Sequence, residues 1–243
     1  MQMLPLRAKQ QMQQLEIFDL IEQAPPAEQL QLLKETLLER EQSLWKCGFK
    51  AIAGVDEAGR GPLAGPVVAC ACILPKGVAF HGVKDSKALK PAERKRLADF
   101  LTSRSDITWA IGLVSNEKID QINILRATLL AMQQAIRALT VRPDFVLIDG
   151  RDYPPLEYPK QTMIHGDALS QSIAAASIIA KVRRDEIMQE YHQLYPQYGF
   201  DKHKGYGTEA HLKAIQAHGL SPIHRRSFAP FKGNYKLQGE LLF

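Results

Sequence analysis

Apolar residues recur at helical spacing over 15–45, as in Leu30, Leu33, Leu37 and Leu44, with Gln, Glu and Lys between them. Pro25-Pro26 interrupts that rhythm, which predicts a helical hairpin or a pair of short helices. Gly48 marks a boundary, and the pattern changes beyond it. Apolar runs over 50–55, 66–74 and 107–114 predict three strands, with a helix over 91–101 before the third. Residues 119–139 are strongly helix-periodic, with Ile122, Leu125, Leu129, Met132, Ile136 and Leu139 on one stripe. A compact buried strand follows over 145–148 and a fifth over 162–165. Residues 168–194 read as a long helix in which Ala174, Ala175 and Ala176 permit close packing. Strands first, then strands separated by helices, predict an α/β domain on a mixed sheet.

A chain of 243 residues can bury one substantial core with material left for an appendage. The expected organisation is a helical extension over 1–47, one main domain over 48–236 and a short tail over 237–243. The longest apolar runs, near Pro66 to Pro75 and Ile173 to Ala180, fall far short of the ~20 residues that span a bilayer. Residues 1–14 are Gln-rich and lack the apolar stretch of a secretory signal. We therefore expect a cytoplasmic protein with no membrane partner, and a monomer. Cys47, Cys70 and Cys72 have no spacing suited to zinc, and Cys70 and Cys72 read as small buried residues on one strand face.

The formal net charge is +5, and residues 181–236 alone hold ten Lys/Arg against five Asp/Glu. Tyr191, Tyr195, Tyr198, Phe200 and Tyr206 are interleaved with that basic excess. This suits a polyanionic partner, because Lys and Arg gain affinity by displacing counterions from phosphates. Charge alone fits a solvated surface equally well.

Acidic residues stand where strands end. Asp56 and Glu57 close the first strand, Asp149 closes the fourth, and Asp167 follows the fifth. Carboxylates gathered at a sheet edge repel and raise one another's pKa unless a cation neutralises them. Oxygen donors alone favour a hard ion such as Mg2+ or Mn2+ over zinc. An Asp-Gly pair is also a common turn dipeptide, so each acid taken singly has a plainer explanation. Neighbours on a strand face opposite ways. Asp56 and Glu57 can therefore share a site only if the strand ends there, if Glu57 reaches round, or if it uses its main-chain carbonyl.

The segment Ala53-Gly-Val-Asp-Glu-Ala-Gly-Arg-Gly-Pro-Leu-Ala-Gly-Pro-Val67 resembles the signature of the ribonuclease HII family. So do Asp85-Ser-Lys87, Ile148-Asp-Gly150, Ser177-Ile-Ile-Ala-Lys-Val-Arg-Arg-Asp185, His203-Lys-Gly-Tyr-Gly207 and Pro222-Ile-His-Arg225, in order along the chain. The resemblance implies a ribonuclease H-like catalytic domain: a mixed five-stranded sheet flanked by helices, here with an N-terminal helical extension and a helical C-terminal region. It implies an endonuclease that cuts the RNA strand of RNA-DNA hybrids and duplex DNA carrying an embedded ribonucleotide, leaving a 5′-phosphate and a 3′-hydroxyl. Asp56, Glu57, Asp149 and Asp167 would be the acidic quartet holding two Mn2+ or Mg2+ ions. One ion would activate water and the other stabilise the leaving 3′ oxygen.

The same resemblance places Gly59, Arg60 and Gly61 against the nucleic acid. Glycines let the backbone approach a sugar closely, where N–H and C=O groups can read the 2′-hydroxyl. Tyr206 would pack against the nucleotide after the ribonucleotide, and Lys87 would meet a phosphate. Gln238-Gly-Glu-Leu-Leu-Phe243 resembles the QxxLxF peptides that bind sliding clamps. The extension before Gly48 would widen the duplex-binding surface or simply pack on the core. The related ribonuclease HIII has Gly-Ser-Gly in place of Gly-Arg-Gly and a larger N-terminal domain with a sheet, so Arg60 and the short helical extension argue against it. A catalytically silent nucleic-acid-binding module would have no use for the complete quartet. A metal-dependent phosphatase would have none for Tyr206.

Overall fold

The computed structural model describes residues 37–231, apart from 81, 84, 85, 87 and 88. The predicted helices before residue 37, Lys87 and the tail from Gln238 to Phe243 lie outside the described residues. Helix α1 (37–46) leads into strand β1 (Ile52–Ala58), followed by β2 (Val67–Ile73), helix α2 (Pro91–Ser103) and β3 (Thr108–Val114). Helices α3 (Asn116–Ile122) and α4 (Ile124–Ala138) precede β4 (Phe145–Asp149) and β5 (Lys160–Met163). A 3-10 turn at Gly166–Ala168 opens onto the long helix α5 (Gln171–Leu194), then α6 (Phe200–His203) and α7 (Glu209–His218). The sheet has order β3-β2-β1-β4-β5. Strands β1, β2 and β3 pair antiparallel, and β4 and β5 run parallel to β1, so the sheet is mixed as expected.

Two apolar layers enclose this sheet, and alternation assigns the faces. Ala53, Val55, Val146 and Ile148 meet Ala127, Ala131 and Ala135 of α4 on one side. Cys70 and Cys72 lie on the other, against α5 and α2, as the spacing predicted. Burial pushes the Cys72 thiol up to about 12, and the Cys70 thiol is raised too, so both are inert protonated side chains. Gly54 shows how closely α5 packs: a Cβ there would stand 2.1 Å from the Ser172 carbonyl carbon. The run Ala174 to Ala176 continues that contact, fully buried.

Several predicted boundaries differ, two of them with consequences for the elements around the site. The helix expected over 119–139 is broken at Asn123, which takes φ 69 and caps α4 by accepting from the Arg126 N–H. An Asn tolerates the left-handed region and offers its own cap, which apolar periodicity does not register. The break turns Leu125 outward at 39 % exposure, although the rest of the stripe packs inward. The fifth strand runs over Lys160–Met163, two residues earlier than read. His165 instead adopts φ 56, and Asp167 sits in the turn rather than at a strand end.

Helix α1 packs on the body through Leu44 and Trp45, which lie against the cluster of Ile52, Leu147 and Ile173. Its Glu41 is buried at the start of α5, where Oε1 accepts from Ser170 Oγ at 2.6 Å, Ser172 Oγ at 2.7 Å and Ser172 N at 3.0 Å. A carboxylate there satisfies orphan donors and meets the positive end of a helix dipole. Glu41→Ala is expected to cost about 3 kcal/mol. Thermal denaturation would read this as a fall in Tm of roughly 6–12 °C.

Candidate active site

Strands β1 and β4 are in parallel register from Ile52↔Phe145 to Val55↔Ile148, so Asp56 and Asp149 are the next residues on adjacent strands. Both share the parity of Ile52, Gly54 and Leu147, the residues that face α5. Asp56 is buried, takes a hydrogen bond from Ser177 of α5 and accepts from the Glu57 N–H at 2.7 Å. Asp149 Oδ1 accepts from the Gly166 N–H at 2.6 Å, tying the end of β4 to the turn that carries the buried Asp167.

Strand β1 continues through Ala58, so the strand end does not bring Glu57 to the side of Asp56. Glu57 shares the parity of Ala53 and Val55, and its Oε1 lies 3.4 Å from Arg60 Nη1. Its charge is nonetheless felt by Asp56, and that of Asp149 by both. Burial holds the Asp56 carboxyl well above the usual carboxylate range, with Glu57 and then Asp149 adding to the shift. Burial likewise raises Glu57, which Arg60 opposes and Asp149 reinforces. The structure thus sets Asp56 and Glu57 within reach of the Asp149 charge, and places Asp167 one residue beyond the donor to Asp149. Among the described residues, no three His, Cys, Asp or Glu side chains already stand in ligand geometry for one ion.

Gly59, Arg60 and Gly61 leave β1 in a loop that rests on two arginines to which sequence reading gave no role. Arg184 and Arg225 are 1 % and 0 % exposed, and among the described residues their hydrogen-bond partners are all main-chain carbonyls. Arg225 donates to the carbonyls of Gly59 at 2.6 Å, Arg60 at 3.0 Å, Gly65 at 2.9 Å and Pro66 at 3.1 Å. Arg184 donates to Ala64 at 3.1 Å, Pro66 at 3.1 Å and Lys204 at 3.0 Å. Planar forks with fixed donors suit this task of holding an irregular backbone. Burial lowers their pKa values to about 10 and about 9, so both stay cationic at neutral pH beneath the loop. Gly59, at φ +97, has room for no Cβ, which would lie 2.0 Å from Arg184 Nε. Both arginines lie in motifs noted above, but sequence spacing cannot tell a buried brace from a surface cation.

The basic region therefore needs correction. Two of its ten cations face inward, and Tyr198 and Phe200 are core residues rather than surface aromatics. Tyr206 is the exposed one, at 46 %, and its Cε1 comes within 3.7 Å of where a Cβ on Gly61 would be. Leu63 N donates to Gly205 O at 2.8 Å, and Arg225 N to Leu63 O at 2.8 Å, so the glycine loop, the Tyr206 segment and the Pro222–Arg225 segment form one assembly. Ser86, between Asp85 and Lys87, reaches Ser177 Oγ at 3.0 Å and so adjoins the Asp56 partner.

A sequence model described as Ribonuclease HII matches residues 53–231. A curated ribonuclease HII of Chlamydia abortus is 56 % identical over 209 residues, covering 86 % of this chain and 97 % of the relative. Among solved structures, ribonuclease H2 of Pyrococcus horikoshii superposes with TM-score 0.63 at 28 % identity, over 74 % of this chain and 95 % of that one. A PCNA:RNase HII complex from Archaeoglobus fulgidus gives TM-score 0.59 at 22 % identity, over 77 % and 98 %, and supports the fold alone. With the sheet, the coupled acids and the braced glycine loop, these matches show that the chain belongs to the ribonuclease HII family of ribonuclease H endonucleases.

Proposed function

We propose that this endonuclease cleaves the RNA strand of RNA-DNA hybrids, and duplex DNA at an embedded ribonucleotide, with Asp56, Glu57, Asp149 and Asp167 as its metal-binding carboxylates. The single observation that carries this reading is the burial of Asp56 beside Glu57 and Asp149, which holds its carboxyl well above the usual range. Such a group of oxygen donors is the kind a hard divalent cation neutralises. Two Mn2+ or Mg2+ ions, when bound, would supply a water activated for in-line attack and charge stabilisation at the leaving 3′ oxygen. Glu57 would take part by reaching round or through its main-chain carbonyl, since β1 does not end at Asp56.

The protein's own part is to position. Gly59, Arg60 and Gly61 present main-chain groups to the ribose, on a backbone fixed from below by Arg184 and Arg225. Tyr206 offers an exposed ring to the following nucleotide, where base or sugar stacking supplies affinity without sequence preference. Lys87 would contact a phosphate. The division at Gly48 belongs to the same proposal, with α1 as the part of the extension that packs on the body. Digestion of a duplex holding one ribonucleotide tests the whole reading. Cleavage beside the ribonucleotide with Mg2+ or Mn2+, abolished by chelator, is expected. A chain that binds the duplex without cutting it under any of these conditions would be the silent module, and one that cuts only longer RNA stretches would behave as ribonuclease HIII.

The tail from Gln238 to Phe243 is proposed as a sliding-clamp peptide, supported by its QxxLxF spacing and by the complex that the Archaeoglobus relative forms with PCNA. Truncation after Leu237 is expected to abolish clamp binding in a pull-down with purified clamp. Equal binding by the truncated chain, or none by the full chain, would remove the idea.

A further inference from the structure

Behind Tyr206 lie three histidines that the proposed chemistry does not use. His211 and His224 are 0 % and 1 % exposed, and His203 stacks on His211 with ring centroids 4.3 Å apart. Their hydrogen bonds fix every ring proton. The Ser221 main-chain N–H can only donate, and it lies 2.9 Å from His224 Nδ1, so that nitrogen is an acceptor. The Ser221 hydroxyl also meets it at 2.8 Å. A neutral imidazole then carries its proton on Nε2, which faces His211 Nε2 at 3.0 Å. His211 Nε2 must accept, so its proton sits on Nδ1, 2.9 Å from the Tyr206 carbonyl oxygen, which can only accept. The two ends demand the same polarity independently. His203 is fixed likewise, accepting from the Gly205 N–H at 3.2 Å and donating to Tyr198 O at 2.7 Å.

We infer that Ser221, His224 and His211 form a one-way hydrogen-bond relay that sets the position of the Tyr206 backbone, making His211 and His224 positioning residues for the contact on the nucleotide beside the ribonucleotide. A proton added to His211 Nε2 would face the His224 Nε2–H, and one added to His224 Nδ1 would face the Ser221 main-chain N–H, so the relay exists only with both rings neutral. Burial favours that state, lowering His211 to about 4 and His224 to about 3. The relay reaches Tyr206 alongside the Thr208 N–H, which donates to the same carbonyl at 2.8 Å. It starts in the segment that also contributes Arg225, so the Tyr206 ring and the glycine loop are positioned from one strip of chain.

The inference rests on the proposed role of Tyr206, and two measurements separate the two. Long-range proton–nitrogen NMR of the full chain at neutral pH should show His211 as the Nδ1–H tautomer and His224 as the Nε2–H tautomer. The reverse tautomers, or an imidazolium at either ring, would overturn the relay whatever the kinetics. In single-ribonucleotide cleavage, His211→Phe keeps the ring volume and deletes the relay, and should raise KM about tenfold with a far smaller fall in kcat. His211→Asn, whose amide N–H can replace Nδ1–H, should recover most of that loss. The double variant with Tyr206→Ala should be no worse than Tyr206→Ala alone, because residues acting through one contact are not additive. Additive losses, or a kcat fall equal to the KM rise, would overturn the positioning role. Should Tyr206→Ala cleave normally while the tautomers stand as stated, the Tyr206 contact would be the part that failed, and the role assigned to the relay would fall with it.

Discussion

Asp149→Asn is expected to lower single-turnover cleavage of a ribonucleotide-containing duplex by about a thousandfold or more. Duplex affinity, read by fluorescence anisotropy, should stay within about threefold, because phosphate contacts dominate that affinity. The substitution is isosteric, and its amide oxygen can still accept from the Gly166 N–H that joins β4 to the Asp167 turn. What disappears is a negative charge at the mouth of the sheet, beside Asp56 and Glu57. Near-normal turnover would show that Asp149 has no part in holding the cations. Loss of duplex binding in step with turnover would show instead that the change had disturbed the loop.

Asp56→Asn should lose activity and yet stabilise the metal-free protein at neutral pH. A buried carboxyl raised in the folded state contributes stability that is fully present below the unfolded value, near pH ~3.9, and is lost as pH rises through the higher folded value. Above that point the native state holds the buried Asp56 charge beside Glu57 and Asp149, with its desolvation cost unrelieved. Asparagine removes one charge while keeping an acceptor for the Glu57 N–H. In thermal melts with chelator near pH ~7.5, Tm should rise by about 2–4 °C for each kcal/mol of repulsion relieved. The gain should shrink toward zero as the pH approaches ~4, where the wild-type carboxyl is protonated. Added Mn2+ should raise the wild-type Tm and leave the variant almost unmoved, since binding to the native state alone is stabilising. A variant less stable than wild type at pH ~7.5 would mean that the Asp56 charge is already well compensated.

Much of this was legible in the order of residues. Alternation assigned Cys70 and Cys72 to one buried face, and the apolar runs located β1 to β4, because each has at least one covered face, whereas β5 is largely polar and lies two residues earlier than its pattern indicates. The acids could be nominated for a similar reason: polar residues directly after apolar strands must stand at a sheet edge. Their pairing was not legible, since the parallel register that seats Asp56 beside Asp149 joins residues 93 apart. Asn123 broke a predicted helix through a side-chain cap, which apolar periodicity does not register. Arg184 and Arg225 were counted as surface charge because composition cannot show that seven main-chain acceptor contacts replace water around them. Glu41 was hidden in a helix read as generic, although it closes the N-terminus of α5 some 130 residues further on.

Four acids, from β1, from the end of β4 and from the turn before α5, are proposed to surround the same cations. Anomalous diffraction from crystals of the full chain soaked in Mn2+ tests this arrangement without reference to activity. Two peaks about 4 Å apart are expected, contacting oxygens of Asp56 and Asp149, with Glu57 and Asp167 completing the set. A peak held by other residues, or one from which Asp149 or Asp167 stands clear, would contradict it.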